Sequence, residues 1–343
     1  MKQGDKIKVL IVDDSLVFRE VLSRGVSSDS QIEVVAKAGD AFDARDKIIQ
    51  FEPDVMVCDV EMPKMNGIEF IKRLLPQYPL PIIVVSSISK NVFEALDAGA
   101  IDFVTKPDVN SVKSVENFIA EMIGKIKIAS TAKVFARKTK VLPEEISGKS
   151  ISDSNRIIAI GASTGGTEAI HGILKLLPGN TPGILIVQHI PPGFSRMFAE
   201  RLNATTNLKA REAKTGDYLE QGLALVAPGD RHMKIKKVGG QYRIECFSGE
   251  KVNGHCPSVD VLFESVAKEA GKQAIGMILT GMGYDGAKGL LTMRRSGART
   301  IGQDENSSVV YGMPKVAYNI GAVEKQVSLA QIPAVLGKLL DEA

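Results

Sequence analysis

Short apolar runs alternate with helix-length stretches along most of the chain, and this rhythm restricts the fold more than any other feature. A strand followed by a long connection cannot pair as a hairpin; it builds βαβ units, with a parallel sheet covered by helices on both faces. In the first part of the chain, strands are expected at 8–13, 32–38, 54–59, 81–86 and 102–105, with helices near 15–27, 41–51, 66–75, 89–98 and 112–126. Five such units suit a flavodoxin-like domain, in which ligands bind beyond the carboxyl ends of the strands.

The rhythm stops from about Lys127 to Asp153, where Lys, Ser, Thr and Gly replace the apolar periodicity. This reads as a linker. It resumes with strands expected at 156–161, 183–188, 222–226, 233–238, 241–247, 274–280 and 298–302, and helices at 165–177, 194–203, 258–271, 286–296, 313–319 and 331–341. The pair Gly239-Gly240 has the spacing of a two-residue hairpin, so an antiparallel piece interrupts the parallel pattern. The fold class is therefore α/β, with a five-stranded parallel flavodoxin-like domain at 1–126, a linker at 127–154 and a mostly parallel domain with an antiparallel hairpin at 155–343. A chain of 343 residues also exceeds what one core serves.

Composition removes several classes. No apolar run approaches a membrane span, and the first apolar run is too short for a signal peptide and ends in Asp13-Asp14, so the protein is read as cytoplasmic. Cys58, Cys246 and Cys256 are odd in number and lack C-x-x-C spacing, which points to reduced thiols. The net charge of +3 is concentrated between residues 125 and 150, where seven Lys and Arg face only Glu144 and Glu145. No nucleic-acid footprint spreads over a folded face.

At the carboxyl ends of the first, third, fourth and fifth strands stand, in turn, Asp13 and Asp14, Asp59, Ser86 with Ser87, and Lys106. Three carboxylates brought together repel, and a hard divalent cation such as Mg²⁺ relieves them. Metal and Lys106 together would neutralise a phosphoryl group passing to a carboxylate, and Asp59, followed by the open loop Val60 to Gly67, is the best acceptor. Residues 7–126 resemble a two-component receiver domain, through Val12-Asp13-Asp14-Ser15, Val57-Cys58-Asp59-Val60-Glu61-Met62-Pro63 and Phe103-Val104-Thr105-Lys106-Pro107. The resemblance implies that Asp59 takes a phosphoryl group from a histidine kinase. It further implies that Asp14 and Asp59 hold Mg²⁺ with help from Asp13 and the backbone carbonyl of Glu61, and that Ser86 senses the phosphoryl oxygen.

In the second domain, Ile157–Ile160 runs into Gly161-Ala162-Ser163-Thr164-Gly165, a G-x-S-x-G turn before a helix. Such a turn exposes a serine hydroxyl near backbone N–H groups that can hold an oxyanion, although glycine-rich turns also cradle phosphate. A serine is a weak nucleophile until an imidazole takes its proton, and the imidazole works best when a carboxylate orients it. His189 and Asp285 follow neighbouring apolar runs and supply those groups. His171 reads as a structural helix residue, while Ser163 with Asp230 and His255 would follow the chain order of α/β-hydrolases. Chain order alone leaves both triads open.

From residue 155 onward, Gly161-Ala162-Ser163-Thr164-Gly165-Gly166, Gln188-His189, Ala227-Pro228-Gly229, Pro257-Ser258-Val259-Asp260 and Leu279-Thr280-Gly281-Met282-Gly283-Tyr284-Asp285-Gly286 are similar to the catalytic domain of chemotaxis protein-glutamate methylesterases. The resemblance implies a triad of Ser163, His189 and Asp285. With it come methylated chemoreceptor glutamates as ester substrates, deamidation of receptor glutamines, and no cofactor in this domain. Backbone N–H groups of Thr164 and Met282 are the oxyanion-hole candidates, and the receiver is expected to gate the crevice until Asp59 is phosphorylated. The rival is a non-enzymatic regulator that binds a phosphate ligand at residues 161–166.

Overall fold

The computed structural model describes residues 6–87, 91–108, 110–134 and 156–342. Two compact units divide the chain, Met1–Thr139 and Lys140–Ala343. In the first, the order is β1 (Ile7–Val12), α1 (Leu16–Val26), β2 (Ile32–Ala38), α2 (Ala41–Phe51), β3 (Val55–Asp59), α3 (Gly67–Leu74), β4 (Ile82–Ser86), α4 (Asn91–Ala98), β5 (Asp102–Thr105) and α5 (Val112–Ala129).

These strands form one parallel sheet in the order β2-β1-β3-β4-β5. Every residue of β3 and β4 is buried, because helices cover both faces and continuous apolar runs are what such strands require. Side-chain caps start the helices promptly after the strands: Ser15 accepts from the Phe18 amide, and Asn66 from the Glu69 amide. β1 lies between β2 and β3, so the chain reverses its direction of travel across the sheet at the place where Asp13 and Asp59 emerge. Crevices open at such switch points.

The end of the last helix differs from expectation. Helix α5 continues through Ala129 instead of stopping at 126, because Ala129 is buried and Lys127 pairs with Asp29 at 2.6 Å, tying the last turn to the sheet layer. Most of the segment expected as linker lies outside the described residues.

The second unit contains β6 (Ile157–Ala162), α6 (Gly166–Leu174), β7 (Ile184–Gln188), α7 (Phe194–Thr205), β8 (Lys209–Glu212), β9 (Leu223–Val226), β10 (His232–Val238), β11 (Gln241–Phe247), α8 (Val259–Ala270), β12 (Ala274–Ile278), α9 (Ala287–Arg295), β13 (Arg299–Gln303), α10 (Met313–Asn319), β14 (Lys325–Val327) and α11 (Ile332–Asp341). Seven strands form a parallel sheet in the order β14-β13-β12-β6-β7-β9-β8. The antiparallel pair β10–β11 is a sheet of its own, and Gly239 and Gly240 turn it with φ of +57° and +86°. A tight hairpin needs both central residues in that left-handed region, which glycine enters without a Cβ penalty.

Two strands, β8 and β14, were not expected from the sequence. They are short, charged and at opposite edges of the sheet, where charge protects the open edge and erases the apolar signature of a strand. Among the described residues, no helix is long and apolar enough to cross a membrane.

The core of this unit lies between the sheet, the hairpin and α8, with Leu262, Phe263 and Val266 of α8 fully buried. Phe263→Ala should therefore destabilise the second unit by about 3–5 kcal/mol, the usual cost of truncating a buried phenylalanine. Denaturant unfolding followed by a probe in that unit measures it; a shift below about 1 kcal/mol would contradict the packing described.

Candidate active site

The central strand of the larger sheet, β6, ends level with both neighbours. Ala162 is in register with Gln188 of β7, and Gly161 with Ile278 of β12. Parallel strands stand about 4.8 Å apart, so the next residues on β6 and β7, Ser163 and His189, leave the sheet side by side. Backbone bonds fix that exit: the His189 amide donates to Ala162 O at 3.1 Å, and the Ser163 amide to Thr280 O at 3.0 Å. Ser163 is half-buried, and the loop after β12 presses so closely that a Cβ at Gly281 would lie 2.6 Å from Ser163 Cβ. Among the described residues, the Met282 amide of that loop has no acceptor.

His189 donates from Nε2 to Asp285 Oδ2 at 2.8 Å, which sets the tautomer and leaves Nδ1 as the lone-pair nitrogen. Nδ1 is buried and has no hydrogen-bond partner, so in this conformation the Ser163 hydroxyl does not donate to it. Asp285 is itself 1% exposed and accepts four further hydrogen bonds: from Asn253 Nδ2 at 2.8 Å, Ser258 Oγ at 2.7 Å, and the Val259 and Asp260 amides at 2.7 and 3.2 Å. The last three come from the start of α8, whose unpaired amides and dipole favour an anion. Burial pushes the Asp285 pKa up, but the bonds from His189, Asn253 and Val259 outweigh it and hold the carboxyl well below the usual range. Asp285 is thus a fixed anion beside the imidazole.

The other histidines are accounted for by their partners. His255 stacks on His189, with ring centroids 3.7 Å apart and planes within 7°, and its Nδ1 faces Asn253 O at 3.0 Å. His232 is buried, contacts Glu250 O through Nε2 and accepts the Ser258 amide at Nδ1, one step behind Asp285. His171 joins α6 to Thr205 and Arg201. Asp230 is exposed and pairs with none of them, so the alternative set of Ser163, Asp230 and His255 is not assembled. His189, His255 and Asp285 have the proximity of metal ligands, yet the Asp285 oxygens are already engaged by five donors. All three cysteines are free thiols.

In the first unit, Asp13, Asp14 and Asp59 bring carboxylate oxygens within 4.8 Å of one another. Lys106 Nζ lies 2.7 Å from Asp59 Oδ2 and 3.2 Å from Asp13 Oδ2. The second contact lacks hydrogen-bond geometry, and Asp13 Oδ2 is buried without a hydrogen-bond donor. Burial and the Asp59 charge raise the Asp13 pKa, with Lys106 opposing them. An all-oxygen donor set with an unsatisfied buried carboxylate oxygen fits a hard divalent cation. Glu61 donates its amide to Asp59 Oδ1 at 3.2 Å, and Ser86 is buried at the end of β4, where its carbonyl accepts the Lys106 amide at 2.9 Å. Ser87 is exposed.

The CheB methylesterase family model matches residues 158–336, and the response regulator receiver domain model matches residues 9–115. A protein-glutamate methylesterase/protein-glutamine glutaminase 2 from Syntrophomonas wolfei is 59% identical over 339 residues, 98% of each chain. A protein-glutamate methylesterase/protein-glutamine glutaminase from Salmonella typhimurium is 46% identical over 331 residues, 95% of each chain. The crystal structure of the Thermotoga maritima CheB methylesterase catalytic domain aligns with a TM-score of 0.53 at 36% identity, covering 55% of this chain and all of that one. The chain belongs to the CheB methylesterase family.

Within this CheB methylesterase chain, the roles of several residues that build the site are not readable from the sequence. Asn253, Ser258 and Val259 hold Asp285, and Gln188 bonds the carbonyls of Ser163 and His189. The motif Pro257-Ser258-Val259-Asp260 marked the place without indicating that its amides face a carboxylate from another loop. His255 was visible only as a rival base, whereas it is the stacking partner of the base.

That stacking has a measurable consequence. Burial and the neighbouring His189 push the His255 pKa from 6.5 down to about 4. As pH falls through this window the unfolded chain takes up a proton that the folded chain refuses, so stability falls with it. In His255→Phe, which keeps a flat ring against His189, the loss of melting temperature between pH 6.5 and 4 should be shallower than in the parent. Superimposable pH profiles would mean that His255 titrates normally in the folded protein.

Proposed function

We propose that the chain is a phosphorylation-activated protein-glutamate methylesterase and protein-glutamine glutaminase, acting in the cytoplasm on chemoreceptors, with Ser163, His189 and Asp285 as its catalytic triad. The His189 Nε2 to Asp285 Oδ2 hydrogen bond, beside a serine delivered by the adjacent strand end, carries this reading. Ser163 Oγ adds to the γ-carbonyl carbon of a methylated glutamate as its proton passes to Nδ1 of His189. This triad thus uses Nδ1 as the base nitrogen, and a rotation of the serine side chain completes the contact. Catalytic hydrogen bonds are often incomplete before substrate binds.

The former carbonyl oxygen carries the developing charge, and the amides of Thr164 and Met282 receive it. Each such donor is worth about 2.7–4 kcal/mol in the transition state. As the tetrahedral carbon collapses, its bond to methoxide breaks, the imidazolium returns the proton, and methanol leaves. Water then adds to the acyl-serine through the same nitrogen, releasing a glutamate carboxylate and restoring Ser163. With a glutamine side chain the leaving group is ammonia. Asp285, already anionic, stabilises the imidazolium in both halves.

In the receiver, an Asp59 oxygen attacks the phosphorus of a kinase phosphohistidine; the P–N bond breaks and an acyl phosphate forms. Asp13, Asp14, Asp59 and the Glu61 carbonyl would hold Mg²⁺, which supplies charge neutralisation for the phosphoryl oxygens. Lys106 pairs with the phosphoryl group, and the Ser86 hydroxyl donates to it. Phosphorylation then shifts the enzyme from a restrained to an active population.

Ser163→Ala should abolish methanol release from methylated receptor without altering the melting temperature; sustained turnover would eliminate Ser163 as nucleophile. Asp285→Asn should lower kcat on the order of 10⁴-fold, the scale seen when a triad histidine loses its orienting anion. Chelation of divalent cations, or Asp59→Asn, should remove activation by a small phosphodonor and leave basal methanol release in place. Loss of basal release on chelation would instead place a metal in the ester site.

A further inference from the structure

Gln188 is the last residue of β7 and is 4% exposed, with its carboxamide between the nucleophile turn and the base. Its Nε2 donates twice, to Ser163 O at 2.9 Å and to His189 O at 3.1 Å. Its Oε1 is buried and has no donor at all. Turning the amide over would point that oxygen at two carbonyl oxygens, so the orientation is set by chemistry and the unsatisfied acceptor is accepted as its consequence. A Cβ on Gly166 would stand 2.2 Å from Oε1, so glycine there leaves the amide its space.

The geometry points to Gln188 as a positioning residue for hydrolysis, one amide group that fixes both the oxyanion-binding peptide and the backbone of the base. The Ser163 carbonyl and the Thr164 N–H belong to one planar peptide and point in opposite directions. Ser163 O is held by Gln188 Nε2 from one side and by the Gly166 amide at 2.7 Å from another, so the direction of the Thr164 N–H is determined before substrate arrives. The second bond holds the peptide that follows His189, so the nucleophile turn and the imidazole cannot drift independently. This inference rests on the assignment of Ser163, His189 and the Thr164 amide made above. Preorganised donors act because they need no reorientation as charge develops, and misalignment is felt in the transition state more than in ground-state binding.

The test compares full-length Gln188→Leu and Gln188→Glu with the parent and with Ser163→Ala, using methanol release from methylated chemoreceptor. Gln188→Leu should lower kcat by about 10²–10³-fold, the loss expected for one oxyanion donor, with KM changed less than about threefold. Gln188→Glu presents a carboxylate to two carbonyls when ionised and one donor when protonated, so its kcat should rise toward acid relative to that of the parent. Gln188→Met, of similar length, is judged by the same numbers should the leucine variant not fold. A kcat within about threefold of the parent in the folded variants, or a fall confined to KM, overturns the positioning role. Loss of fold in both apolar variants would overturn it too, by making Gln188 a structural prop. An active Ser163→Ala would instead strike the triad itself, so the two failures are distinguishable.

Discussion

The Asp285 carboxylate is the point on which the second unit's chemistry turns. It is buried and ionised, a combination that is costly unless every lone pair is met, and here five donors from three separate segments meet it. The same anion satisfies the first amides of α8, anchors Asn253 in its loop and gives His189 its tautomer. Asn253 extends the arrangement to a second buried acid, Asp260, whose other oxygen takes the Gly289 amide at 2.7 Å. Burial and the Asp285 charge raise the pKa of Asp260, against the pull of its hydrogen bonds, so the two neighbouring carboxyls are pushed in opposite directions. Folding and function therefore share one electrostatic centre.

The first unit uses carboxylates in the opposite way. Asp13 and Asp59 are as buried as Asp285, but each takes a single backbone amide, from Ser15 and Glu61; one lysine lies beside both, and one oxygen of Asp13 lacks a hydrogen bond. That incompleteness is what leaves room for an incoming cation and phosphoryl group, whereas the saturated Asp285 has no capacity for a further ligand. Both sites lie where β-strand order reverses, at the carboxyl edges of parallel sheets.

The rhythm of strands and helices was legible because interior parallel strands are continuous apolar runs and their helices are amphipathic. Gly239-Gly240 announced its hairpin through the φ values only glycine adopts freely. Edge strands β8 and β14 were not legible, since Lys209-Ala210-Arg211-Glu212 and Lys325-Gln326-Val327 carry charge where an interior strand carries valine. The end of α5 was missed because a tertiary ion pair, invisible to local periodicity, sustains its last turn. In the site, the residue types of nucleophile, base and acid were readable, but pattern alone left Asp230 and His255 in contention. Strand register resolved that choice in space, by setting Ala162 beside Gln188, and register is a property of two segments that no single stretch displays. Asn253 acts through a long-range bond and gave no local sign, while Ser258 stood within a motif whose partner carboxylate lies on another loop.

The nucleophile turn is enclosed on both sides by gaps narrower than a methyl group. Gly166 faces the Gln188 amide and Ala162, while Gly281 faces Ser163 and Met313. Neither interval can absorb an added carbon, so any drift in the chain's sequence has to be accommodated elsewhere. Met282 and Tyr284, in the loop between Gly281 and Asp285, are exposed and unconfined by comparison. The enzyme is thus divided into a part that cannot be retuned one atom at a time and a border that can, and new substrate preferences would have to arise at the border.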